Sequence, residues 1–179
     1  MLSACGVPTD SSARPIRDGV PFGLLAPATT VSATTTTAPG AATGTVAVFF
    51  VRDGRLVRAE RQVPVPVSVP AALTALLDGP TDGEVAAGAR SAISISARLL
   101  ATEVEGDVVR LDLAGSFAEV QGGEQVLAVA QLVFTATAVE GVRGVTLALD
   151  GRLVEVPTAD GTLKAGPVGP GDFGPLAPA

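Results

Sequence analysis

The sequence predicts an α+β fold: a small mixed β-sheet with two main helices packed on it, in the order β-β-α-β-β-α-β-β, flanked by disordered tails. Three observations predict it. Asp-Gly turn pairs at 53–54 and 150–151 each follow a β-branched run. Two stretches carry apolar residues at helical spacing. The ends, before residue 45 and after residue 157, are dominated by Thr, Ala, Pro and Gly. The expected divisions are residues 1–5, 6–44, 45–157 and 158–179: a signal remnant, a tether, a folded domain and a loose tail. The domain is long enough for one core.

Thr45 to Arg52 (TVAVFFVR) is the first strand, and Arg55 to Val63 returns from the Asp53-Gly54 turn. The return strand is more polar and so suits a sheet edge, where it is a candidate for strand addition. Pro64 and Pro66 remove ladder donors and end it. Pro70 suits a first helical position, Gly79-Pro80 a stop, and Val69, Leu73, Leu76 and Leu77 fall on one face between them. A loop from Gly79 leads into one helical turn ending near Gly88. Ala97–Glu105 and Asp107–Leu113 are strands joined at Gly106. Gly123–Val139 is a long helix, apolar nearly all round, with Glu124, Ala128, Gln131 and Thr135 forming an outward polar or small edge. Val142–Leu149, the turn Asp150-Gly151 and Arg152–Val156 form the last hairpin. Asp-Gly-Arg-Leu-Val occurs at 53–57 and again at 150–154, one hairpin solution used twice.

Composition excludes whole classes of chemistry. The chain has 179 residues, no His, Trp, Tyr or Asn, one Cys, one Lys and a net charge of −6. No imidazole base or ligand exists, and no intrachain disulfide or Cys-rich zinc site can form. Acidic balance with 3% aromatics argues against nucleic acid. A P-loop has no context, because Lys164 lies in the tail. The spaced glycines Gly169, Gly171 and Gly174 lack a preceding strand and following helix. Glu103, Glu105 and Asp107 could hold calcium, but a solvated strand face suits them better. Arg110 and Asp112 are expected to form a surface pair. No cofactor, metal or catalytic residue is expected, and no enzyme.

The sharpest local signal is Met1-Leu2-Ser3-Ala4-Cys5-Gly6, which reads as the end of a bacterial lipoprotein signal with Cys5 as the lipidated residue. The charged and apolar segments that should precede it are missing, so the start codon lies upstream or the signal was trimmed. The tether that follows spans about 35 Å as a flexible coil. That arrangement places the domain outside the cytoplasm, lipid-anchored to the cell membrane; a cytosolic module without lipid is the other possibility. Two apolar islands, Phe22–Pro27 and Phe173–Pro178, are candidate docking segments.

The body resembles the GerMN (sporulation and spore germination) domain. The resemblance runs through Phe49–Val57, the helix end Leu76-Leu77-Asp78, then Gly79-Pro80-Thr81 with Glu84, its most specific piece. Gly88, Ser91 and Ile93 follow, then Leu111-Asp112-Leu113 with Phe117, and Ala130–Thr137. Ala89 and Ser94 depart from the usual Leu and Pro. The resemblance implies a small exported α/β domain, of a type found in actinobacterial lipoproteins, without catalytic residues, acting in envelope assembly. Its motif residues read as architecture, with Glu84 accepting backbone donors of its own loop. Two functions stay open. One is a membrane-anchored module that binds an envelope protein. The other is a binder of a small ligand or peptidoglycan fragment through the Gly79–Ile93 loop, with Gly79, Pro80, Thr81, Glu84 and Ser91 as its candidate residues.

Overall fold

The computed structural model describes residues 42–114, 117 and 122–178. Cys5 and the Phe22–Pro27 island lie outside the described residues. Strand β1 (Thr43–Arg52) and strand β2 (Arg55–Pro64) form a two-stranded antiparallel sheet. Asp53 and Gly54 take φ of 52° and 75°, the paired positive angles of a type I′ turn, which matches the twist of the flanking strands. Asp150 and Gly151 repeat the solution at 48° and 81°.

Helix α1 (Val69–Leu77) begins at Ser68, whose hydroxyl accepts from the Ala71 N–H, and buries Val69, Ala72, Leu73 and Leu76. The short helix α2 (Asp82–Ala86) is the single turn expected there. Strands β3 (Leu99–Glu105), β4 (Val108–Leu113), β5 (Gly144–Leu149) and β6 (Arg152–Leu153) make a four-stranded mixed sheet in the order β3-β4-β5-β6. β4 and β5 run parallel, so the chain must cross over between them, and helix α3 (Gly123–Thr137) does so. Val109, Leu111 and Leu113 turn inward from β4 as their alternation predicts. A shared core of buried residues includes Val48, Phe50, Leu73, Leu111 and Leu132. The α+β architecture thus holds, with the hairpin β1–β2 standing as a sheet of its own.

Four expectations are corrected. First, the edge of α3 that carries Glu124, Ala128, Gln131 and Thr135 does not face water. Ala128, Gln131 and Thr135 are wholly buried. This stripe lies along the second edge of β1. In that hairpin the residues at odd positions turn their backbone groups away from β2. Gln131 Nε2 donates to the Phe49 carbonyl at 2.8 Å, and Thr135 Oγ1 accepts from the Phe49 N–H at 3.2 Å. Gln131 Oε1 also accepts from the Ala92 N–H at 2.7 Å. Val51 exchanges both of its bonds with Arg90. Polar residues on this helix are therefore buried because a strand edge needs them.

Second, the segment from Thr158 is not a loose tail. Val156–Pro157 (β7) pairs with Leu163–Lys164 (β8), and Val168 bridges Val145 beside the main sheet. Pro170–Leu176 forms a 3₁₀ turn against α3, and Phe173 and Val168 are fully buried. Gly169 fits closely here, since a Cβ would sit 3.1 Å from the Arg143 carbonyl. The Phe173–Pro178 island is a docking segment, and its dock is this domain. Gly and Pro set the local path, while Val168 and Phe173 supply the apolar surface that holds it.

Third, the last hairpin is short: β6 has only two residues before the chain leaves to form β7. Fourth, Arg110 and Asp112 do not pair. Arg110 reaches Glu103 across the strand at 3.3 Å, and Asp112 accepts the Gly151 N–H at 2.9 Å.

Gln131→Met keeps the volume of the side chain but strands the Phe49 carbonyl and Ala92 N–H. It should cost about 2–4 kcal/mol in urea unfolding, from two buried groups left unsatisfied. Phe173→Ala should cost about 3–5 kcal/mol in the same assay, as for a core phenylalanine. A tail without packing would show no such loss.

Candidate functional site

The loop singled out by the sequence is built around Glu84. α1 ends at Asp78, and Gly79 follows with φ of +85°, a left-handed angle that glycine adopts without strain. Its N–H closes onto the Leu76 carbonyl. Thr81 then caps α2: its hydroxyl accepts from the Glu84 N–H at 3.4 Å, and Glu84 Oε2 accepts from the Thr81 N–H at 2.8 Å. This reciprocal box is the role expected for Glu84, an acceptor for its own loop.

The sequence reading missed the other partner. Arg61, on the strand read as a polar edge, clasps both Glu84 carboxylate oxygens, with Nη1 at 2.9 Å from Oε1 and Nη2 at 2.5 Å from Oε2. The same guanidinium donates to the Gly79 and Glu60 carbonyls and lies 5.2 Å from the centre of the Phe50 ring. It is mostly shielded, with 18% of its side chain exposed, against 26% for Glu84. The two-pronged contact needs a planar fork, which Arg supplies and Lys does not. Spacing along the chain carries no trace of it, because 23 residues separate the partners.

The Arg61 hydrogen bonds hold the Glu84 carboxyl down at about 2, with the Thr81 N–H helping and partial burial opposing. Arg61 is pushed up by the same hydrogen bonds. A carboxylate held this firmly ionised is a poor general acid or base near neutral pH. Its acceptor positions are largely taken.

Gly79, Pro80 and Ser91 do come together. With Leu77, Val85 and Ile93 they line a cleft of about 270 Å³. Thr81 and Glu84 are not among its lining residues. Ser91 Oγ accepts from the Ile93 N–H at 3.1 Å. Ile95 at its mouth is 96% exposed and Val85 is 55% exposed. A larger hollow of about 630 Å³ lies at the far end of β1, walled by Ala47, Phe49, Phe134 and Val139, a place no motif marked.

The acidic hairpin turn is dispersed. Glu103 pairs with Arg110 at 3.3 Å and Asp107 approaches Arg143 at 3.8 Å. No group of three or more Cys, Asp or Glu among the described residues could hold a metal ion. Around the tail glycines, Asp172 accepts from the Gly169 N–H at 2.8 Å and pairs with Lys164 at 2.7 Å, bracing the 3₁₀ turn.

Comparison with known proteins follows the same outline. Residues 47–155, more than half of the chain, match the family model Germane, described as sporulation and spore germination. The chain belongs to this GerMN family. The tandem GerMN domains of the sporulation protein GerM from Bacillus subtilis share the fold at a TM-score of 0.60 and 18% identity. That match covers 82% of this chain and spans half the length of the tandem structure. The first GerMN domain of the same protein matches at a TM-score of 0.51 and 18% identity, over 68% of this chain and 93% of that one. A candidate lipoprotein from Clostridium perfringens, 14% identical, reaches a TM-score of 0.49 over 75% of this chain and 93% of its own. That last likeness is too slight to carry an argument. No curated protein matches the chain.

The GerMN loop should respond to acid. The unfolded Glu84 carboxyl titrates near 4.5 and the folded one near 2. Its stabilisation is complete above the unfolded value and drains away as pH falls toward the folded one. Glu84→Gln should therefore lower stability at neutral pH and flatten the loss between about pH 5 and pH 2, read by urea unfolding at each pH. Thr81→Ala should cost about 1 kcal/mol in the same assay through the lost cap.

Proposed function

We propose that this GerMN domain is a non-enzymatic interaction module. It is carried on the outer face of the cell membrane by a lipid on Cys5, and it binds a protein of the cell envelope in sporulation-type assembly. One observation carries the non-enzymatic reading. The residues most characteristic of the family motif are used for architecture: Gly79 turns the chain, Thr81 caps α2, and Glu84 is tied to the Thr81 N–H and Arg61. Glu84 is thereby committed to holding its own loop rather than left to act on a substrate. The sporulation protein GerM shares the fold, which supports a sporulation-type role by analogy. The lipobox-like Met1–Gly6 and the Thr/Ala/Pro-rich tether support the anchor. Among the described residues no helix is long and apolar enough to cross a membrane.

A second reading rests on the cleft beside Gly79, Pro80 and Ser91, whose apolar mouth at Ile95 is open to solvent. It would take a small ligand or peptidoglycan fragment. Muropeptides would then raise the melting temperature in step with their concentration, since a ligand that binds only the folded state stabilises by mass action.

Intact mass spectrometry of the protein extracted with detergent from its own host tests the anchor. The expected N-terminus is a diacylglyceryl-modified Cys5. An unmodified chain beginning at Met1 or Leu2 would overturn the membrane placement and, with it, the envelope partner.

A further inference from the structure

Strand edges in this fold are treated unequally. On β1, the outward backbone groups of Phe49 and Val51 are taken by Gln131, Thr135 and Arg90. On β2, the Glu60 carbonyl accepts from Arg61 Nη1 at 3.0 Å, and Arg58 and Glu60 pair with each other on the exposed side. These charges blunt the edge that the sequence had nominated for strand addition. β3 is different. Among the described residues it is the outermost strand of the four-stranded sheet and pairs with β4 alone.

The register decides which of its groups are free. Glu105 and Val108 oppose each other across the turn at Gly106 and Asp107. Antiparallel alternation then points the backbone groups of Glu105 and Glu103 toward β4, and those of Thr102 and Val104 outward. Among the described residues nothing hydrogen-bonds those outward groups. Beside them lie two large exposed apolar side chains, Val104 at 66% and Leu100, at the register shift, at 53%. Glu103 and Glu105 occupy the other face of the strand, with Asp107 at the turn. Three carboxylates here face two guanidinium partners, Arg110 and Arg143, so the edge keeps an excess negative charge within a chain of net charge −6.

We propose that the open edge of β3 captures an extended segment of a partner protein in which basic side chains alternate with apolar ones. The assignment rests on the interaction-module reading and names its surface and partner chemistry. An added strand satisfies the Thr102 and Val104 backbone groups, which supplies affinity without sequence demand. Alternation supplies the selectivity. Apolar side chains lie beside Val104 on the core-side face, and basic ones lie beside Glu103 and Glu105 on the other. A second copy of β3 is disfavoured as the occupant, because it brings a further set of carboxylates to the same edge.

The test uses the full chain and two synthetic peptides of about six residues, the length of an ordinary strand. One alternates lysine with valine and the other glutamate with valine. Amide hydrogen exchange is read by NMR. The lysine–valine peptide should slow exchange at Thr102 and Val104, and the glutamate–valine peptide should not. The double variant Glu103→Lys/Glu105→Lys should weaken the first peptide by about tenfold or more and admit the second. Thr102→Pro, which deletes one outward donor, should abolish the protection of Val104 by the lysine–valine peptide; if that variant fails to fold, the charge reversal decides alone. The proposal is overturned if neither amide is protected by either peptide, or if charge reversal leaves the preference unchanged. It is overturned equally if the two amides become protected with rising protein concentration and no peptide, which makes a second copy the occupant. Capture of an envelope protein that ignores the charge reversal would leave the interaction reading standing and remove β3 as its surface.

Discussion

The second edge of β1 is the constraint on which the rest of the fold depends. A strand in the middle of a protein must satisfy its backbone on both sides. β2 serves one side of β1, and among the described residues no further strand runs along the other. Gln131 and Thr135 stand in for it at Phe49, and Arg90 does so at Val51. Because Gln131 also holds the Ala92 N–H, one amide side chain joins the hairpin, the long helix and the segment after α2. α3 is thereby fixed against β1, and its remaining faces meet α1, β5, β7 and the C-terminal 3₁₀ turn. The surrounding contacts are apolar and non-directional. The amide is what sets their orientation.

A second fastening works from the surface inward. Arg61 reaches from β2 to Glu84 and the Gly79 carbonyl, with its guanidinium carbon over the Phe50 ring. It ties the connection between α1 and α2 to the hairpin, while the Thr81–Glu84 box holds that connection from within. In this chain Gly79, Thr81 and Glu84 therefore serve the structure of the loop. The same geometry explains why the cleft beside them is lined by Gly79, Pro80 and Ser91 but not by the carboxylate.

The hairpin turns and the helix limits were legible because they are local. Asp-Gly between β-branched runs specifies a type I′ turn with little help from elsewhere. Pro70 starts α1, and Gly79 ends it, by backbone chemistry confined to a few residues. The inward face of β4 followed from alternation alone. The polar stripe on α3 misled, since burial of Gln131 and Thr135 makes sense only beside an unpaired strand edge, and nothing near them in sequence announces one. The C-terminal segment misled in the opposite way. Its Gly and Pro content signals irregular backbone, and irregular backbone can still be packed when a Phe and a Val anchor it.

The sequence by itself determined the α+β class, the turns, the element order as far as β6, the absence of imidazole chemistry and the likeness to the GerMN domain. The tertiary structure alone decided which polar groups are interior, which carboxylate meets which guanidinium, and which strand edge stays open. The physical reason is range. Turn geometry, capping and periodicity act over one or two turns of chain, so residue order encodes them directly. Gln131 with Phe49 and Arg61 with Glu84 join residues 82 and 23 positions apart. Such pairings exist only after the hydrophobic core has brought their elements together.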